Sequence, residues 1–135
     1  MRHHMLAGFP PSVSPSSHAV EADGFVFLTG QFPRDLDDPE APLPEGIAAQ
    51  TGRTIGNLAR ALAALGLGLQ HLVSVRVYLT AFERDYAAMN QAYAAALPDG
   101  GRPVRTCIGV TALVRGALIE IEAVAKRPRM PDPAT

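Results

Sequence analysis

Across residues 47 to 79 the spacing of apolar side chains changes period, and that change limits the fold more than any other feature. Ile47, Thr51, Ile55, Leu58, Leu62 and Leu65 recur every three or four residues, which places them on one face of a helix. Gly66 follows as a helix stop. In HLVSVRVYL (71–79), Val73, Val75, Val77 and Leu79 alternate with Ser74, Arg76 and Tyr78, the period of a strand with one buried face. A helix feeding a half-buried strand calls for layered helices and sheet.

The rest of the chain extends that pattern. HAVEADGFVFLTGQF (18–32) reads as two strands turning at Asp23-Gly24, a hairpin signal. Residues 33–46, PRDLDDPEAPLPEG, carry four prolines among clustered acids and suit an exposed loop. RDYAAMNQAYAAAL (84–97) sets Tyr86, Met89, Tyr93 and Leu97 at helical spacing. VRTCIGV (104–110) and ALIEIEAVAK (117–126) both alternate, and residues 111–116 between them are short enough for a second hairpin. The order ββαβαββ predicts an α+β fold, one layer of antiparallel or mixed β-sheet with two helices packed on one face. Its other face then needs a cover, which predicts an oligomer. Residues 1–15 and 128–135, rich in Pro and small polar residues, are expected to be flexible flanks of a single domain spanning 16–127.

Composition removes several classes of function. With 135 residues, 47% hydrophobic and 19% charged, the chain can bury one ordinary core. A formal net charge of -1 offers no field to gather nucleic acid or an anionic membrane surface. One cysteine forms no internal disulfide, no apolar run approaches the roughly 18 residues of a membrane span, and MRHHMLAGFPPSVSPSS lacks a secretory core. A cytoplasmic protein is expected. No metal is expected either: Pro39 and a missing central glycine break the calcium-loop spacing of Asp35, Asp37, Asp38 and Glu40, and His3 and His4 lack partners. Gly66 and Gly68 leave a helix rather than enter one, against a dinucleotide loop. His18 is read as a hydrogen-bonded structural histidine and His71 as exposed.

Strand alternation sends Arg105, Cys107 and Gly109 to one side, and Glu120 and Glu122 share a face of the next strand. If these strands form a hairpin, a guanidinium, a thiol and carboxylates meet on the face away from the helices. Two readings stand. Cross-strand Arg–Glu pairs are ordinary sheet stabilisers, worth about 0.2–1 kcal/mol; alternatively the guanidinium holds a small carboxylate while an acid positions water. Cys107 as a nucleophile lacks an identifiable His base.

RPVRTCIGV with LIEIEAVAK, and SHAVEADGFVFLTGQ near the start, resemble the C- and N-terminal signatures of the reactive intermediate deaminase family (Rid, also called YjgF). AAQTGRTIGNLARALAALGLGLQHLVSVRVYLT and MNQAYAAAL resemble the elements between, so the likeness runs over about residues 16 to 127. The resemblance implies a chorismate-mutase-like homotrimer with sites between subunits, which hydrolyses 2-aminoacrylate-type and 2-iminobutanoate-type enamines and imines to 2-keto acids and ammonia without a cofactor. It implies that Arg105 binds the substrate carboxylate, that Cys107 touches substrate through its backbone, and that Glu120 orients water. Thr29, Gly30 and Asn90 would line or support the pocket. Ser16 stands where many members carry a tyrosine, and Gly109 where relatives can carry Glu. Both departures would enlarge or rewet the pocket and leave open a non-catalytic, carboxylate-binding or regulatory member. An RNA-cleaving activity sometimes attributed to the family fits poorly with the charge.

Overall fold

A computed structural model describes residues 1–129. The first hairpin forms as expected, from β2 (Ala19–Ala22) and β3 (Phe25–Gln31), with Ala22 opposite Phe25. Asp23 and Gly24 have φ of 52° and 79°, the positive values that a two-residue turn between twisted strands requires.

The expectation of a flexible segment over 1–15 is corrected. Arg2–His4 form β1, which pairs with the free edge of β2 and sets His3 opposite Val20. Leu6 enters the core, Phe9 packs against it, and the Leu6 amide donates to His18 Nδ1 at 2.7 Å. Pro- and Ser-rich composition suggested slack, but a strand edge in need of a partner and two apolar anchors hold the segment. Residues 130–135 of the expected 128–135 tail lie outside the described residues.

Helix α1 (Ile47–Ala64) carries the chain from β3 to β4 (Leu72–Leu79), through a 3₁₀ turn at Leu69–His71. His71 is not merely exposed there, because its Nδ1 accepts from the Gly68 amide at 2.9 Å. Helix α2 (Phe82–Ala96) then returns the chain to β5 (Val104–Gly109), parallel to β4, the crossover that parallel strands require. A second 3₁₀ turn, Val114–Gly116, precedes β6 (Ile119–Lys126).

The sheet order is β1-β2-β3-β6-β4-β5, which corrects the expected second hairpin. β3 and β4 each run antiparallel to β6 and leave a strand-wide slot that β6 fills. Filling it satisfies two open edges at once, whereas pairing with β5 would satisfy one. Local loop length favoured the hairpin; the slot, formed by strands far apart in sequence, prevails.

The six predicted positions, five in α1 and Leu65 at its cap, are buried, with Leu58 and Leu62 at 2% and 0% exposure, and the apolar ones pack with Val75, Val77, Leu79, Ile119 and Ile121 in one core. The loop over 33–46 is only partly exposed. Arg34 and Leu36 are buried, and Asn57 Nδ2 of α1 donates to the carbonyls of Phe32 (3.1 Å) and Arg34 (2.8 Å). On the opposite side of the sheet Phe27, Val104 and Ile108 remain exposed. No helix among the described residues is long and apolar enough to cross a membrane.

Candidate functional site

Glu120 lies opposite Tyr78, and Glu122 opposite Arg76, across β6 and β4. Neighbouring pairs in the same ladder, Val77–Ile121 and Leu79–Ile119, are buried in the core, so the two glutamates project to the side away from the helices. Glu122 is engaged there, accepting from the Tyr78 hydroxyl and pairing with Arg76 at 3.5 Å. Glu120 is different: among the described residues its carboxylate has no hydrogen-bond partner. Burial, and then the charge of Glu122, raise its pKa above the ordinary carboxylate value.

What seats Glu120 is an irregularity in β3. Leu28 faces Ala123 and Gln31 faces Ile121, so Thr29 and Gly30 together span the single position opposite Glu122, a β-bulge. The bulge brings the Gly30 backbone against Glu120, where a Cβ would stand 2.5 Å from Oε2 and 3.0 Å from Cδ. Only glycine leaves room for the carboxylate. The two residues border a cleft of about 330 Å³ shared with Thr29, Ser16, Ser12 and Arg34. The predicted set Ser16, Thr29, Gly30 and Glu120 is therefore brought together. Ser16 Oγ is 3.2 Å from Ser14 Oγ.

Arg105 lies elsewhere. The parallel β4–β5 register sets it opposite Val75, and Cys107 opposite Val77, on the side that faces the helices. Its guanidinium carbon lies 4.9 Å from the centre of the Tyr93 ring and 5.9 Å from that of Tyr86, and Nη2 donates to the Tyr86 hydroxyl at 3.5 Å. Tyr86, Asn90 and Tyr93 share one face of α2 by their spacing. The Tyr93 hydroxyl and Asn90 Oδ1 are buried without hydrogen-bond partners among the described residues. Burial raises the Tyr93 pKa. It also raises the Cys107 thiol, against a smaller opposing effect of Arg105, so the sulfur is a protonated thiol at neutral pH.

The expectation that arginine, thiol and glutamates share one face is thus corrected for the single chain. With β4 between β5 and β6, Arg105 and Cys107 point to the helix side and Glu120 to the other. Gly109 does not open a wet space on its inner side, because a Cβ there would meet Phe82 Cβ at 3.2 Å. The sequence reading missed Arg34, assigned to an exposed loop, and the pairing of Tyr86 and Tyr93 with Arg105, since their helical spacing pointed only to core. His18 is structural, as read. It accepts from the Leu6 amide, and burial followed by the Arg34 charge lowers its pKa, which keeps the ring neutral.

A mixed sheet with two helices on one face, carrying a glycine-seated glutamate and an aromatic-backed arginine, defines a class that comparison with known proteins makes explicit. Residues 9–127 match the family model described as Endoribonuclease L-PSP. The chain is 37% identical to Protein DfrA of Myxococcus xanthus, covering 86% of this chain and 88% of that one. It is 31% identical to the mouse 2-iminobutanoate/2-iminopropanoate deaminase, over 86% of this chain and 84% of the relative. The crystal structure of RidA from an Antarctic Psychrobacter superposes with a TM-score of 0.84 at 30% identity, covering 93% of this chain and 99% of that one. The chain belongs to the Endoribonuclease L-PSP family, the YjgF or Rid family, and has its fold.

Proposed function

We propose that the protein is a homotrimeric hydrolase of 2-imino and 2-enamino acids, in which Arg105 of one protomer and Glu120 of the next face a common cleft. The observation that carries this reading is that the two charged groups form separate half-sites, neither with an ion-pair partner among the described residues. The exposed Phe27, Val104 and Ile108 are apolar area that a second copy would cover. The deaminase activity in the mouse relative's name supports the same chemistry.

In that cleft the guanidinium binds the substrate carboxylate through its donor fork. The C2 carbon of a protonated imine is already electrophilic, so water needs only position and a base. Glu120 takes a proton as the water oxygen bonds to C2 and the C=N electrons return to nitrogen. The proton passes to nitrogen, the C–N bond breaks as the hydroxyl oxygen forms the carbonyl and gives its proton back to Glu120, and a 2-keto acid and ammonia leave. No side-chain nucleophile is required, consistent with a protonated Cys107.

The test couples the purified protein to a dehydratase that releases 2-aminoacrylate and follows pyruvate. Acceleration that Arg105→Ala abolishes is expected; none, with Arg105→Ala indistinguishable from wild type, would defeat the proposal. Ser16, which puts no ring over the cleft, favours a second reading: a carboxylate-binding member without turnover, recognised by ligand binding in an inactive trimer.

A further inference from the structure

Arg34 is only 8% exposed, yet it lines the same cleft as Glu120. Its guanidinium has two neighbours of note: Nη1 donates to the Pro11 carbonyl at 3.2 Å, and the carbon sits 5.4 Å from the Phe32 ring centre. Nε is buried with no hydrogen-bond partner among the described residues, and so is Oγ of Ser12, a residue that lines the same cleft. Among the described residues no carboxylate pairs with this charge. The one that acts on it belongs to Arg115, itself a cation, whose own donors go to the carbonyls of Pro39 and Ala41 at 2.7 and 3.0 Å. Glu40 borders a neighbouring cleft with both arginines but forms no ion pair with Arg34.

A cation nine-tenths withdrawn from water and left without an anion is costly, and the cost is recovered when an anion arrives. Asn57, by binding the Phe32 and Arg34 carbonyls, holds the segment in place, so the donors need not be ordered at binding. Glu120 and Arg34 border one cleft and form no ion pair with each other, two separate stations within it.

We infer that Arg34 and Ser12 form a second anion site beside Glu120 that takes the distal carboxylate of a 2-imino or 2-keto dicarboxylic acid. The inference rests on the reading of the site given above, in which Arg105 of an adjoining copy holds the carboxylate next to the reacting carbon. A four- or five-carbon diacid then bridges Arg105 and Arg34 with C2 beside Glu120. Ser16, which lines the same cleft, puts only a small hydroxymethyl group into it. The substrate class is the imine formed when an acidic amino acid is oxidised at its α-carbon, so the reaction that supplies it is an amino-acid oxidation.

Calorimetric titration of the full-length protein with 2-oxoglutarate and with 2-oxobutanoate tests this. The diacid is expected to bind at least tenfold more tightly, with the ratio collapsing toward one in Arg34→Met and partly restored in Arg34→Lys. Should Arg34→Met fail to fold, Ser12→Ala supplies the second variant, expected to lower the ratio about threefold. A wild-type ratio of one or less, or a folded Arg34→Met that keeps the wild-type preference, overturns the inference. Failure here is separable from failure of the deaminase reading. Equal binding of the two acids alongside Arg105-dependent pyruvate release removes only the Arg34 site, whereas tight diacid binding with no acceleration of either pyruvate release or 2-oxoglutarate release from the imine made by oxidising glutamate removes only the turnover.

Discussion

Gly30→Ala tests the seating of Glu120 directly. The backbone at Gly30 is outside the left-handed region, so alanine brings no φ strain, only one methyl group 2.5 Å from Glu120 Oε2. Ordinary contact begins at 3.4 Å, so the carboxylate must retreat by about 0.9 Å. Misplacement of a catalytic group by about 1 Å costs roughly 10²-fold, equivalent to about 2.7 kcal/mol in the barrier. We expect kcat for imine hydrolysis to fall by about two orders of magnitude while the melting temperature and oligomeric state stay near wild type, since the end of a flexible side chain yields rather than the sheet. Glu120→Asp supplies the control. Its shorter carboxylate avoids the new methyl, so Gly30→Ala in that background should have little further effect, a non-additivity of about 2 kcal/mol in a double-mutant cycle. Wild-type kcat in Gly30→Ala, or fully additive losses, would refute the argument that the bulge positions the acid.

Cys107→Ala is expected to keep activity to within about tenfold, whereas removing a true nucleophile costs on the order of 10⁶ in kcat; steady-state kinetics decides between them. For Glu120 the raised pKa fixes two signs. Activity should rise with pH along an acid limb whose midpoint lies above the ordinary 4.5. Because the folded-state value exceeds the unfolded one, wild type is favoured below the unfolded pKa and loses that advantage as pH climbs through the folded pKa. Glu120→Gln should therefore be inactive but melt progressively higher than wild type as pH climbs from the unfolded to the folded pKa. Asn57→Ala strands the Phe32 and Arg34 carbonyls and should cost about 1–3 kcal/mol in denaturant unfolding.

The elements of this fold were legible wherever one period ran long enough to average out exceptions. The α1 face from Ile47 to Leu65, the alternation of Val75, Val77 and Leu79, and the Asp23-Gly24 turn each record a local rule in the side chains themselves. Strand order left no such record. Whether β6 joins β5 or slips between β3 and β4 depends on edges created by residues 25–31 and 72–79, and alternation looks the same beside either neighbour. The site divided along the same line. The residues resembling the family signature were identifiable singly, but their division between two faces follows from register. Arg34 escaped because prolines and acids around it spoke for solvent, while the Asn57 side chain that fastens the segment comes from a helix 23 residues away.

The placement of β6 has a consequence for biosynthesis. The ribosome makes the middle of the sheet after its flanks: the β2–β3 hairpin and the β4–α2–β5 unit can each emerge from the exit tunnel, but they share no ladder until residues 119–126 follow. Until then the nascent chain carries two bare edges, a form open to chaperones and to strands of other chains. A ribosome stalled before Ile119 would hold two half-sheets with nothing to zip them together, and protection from protease should appear in a single late step.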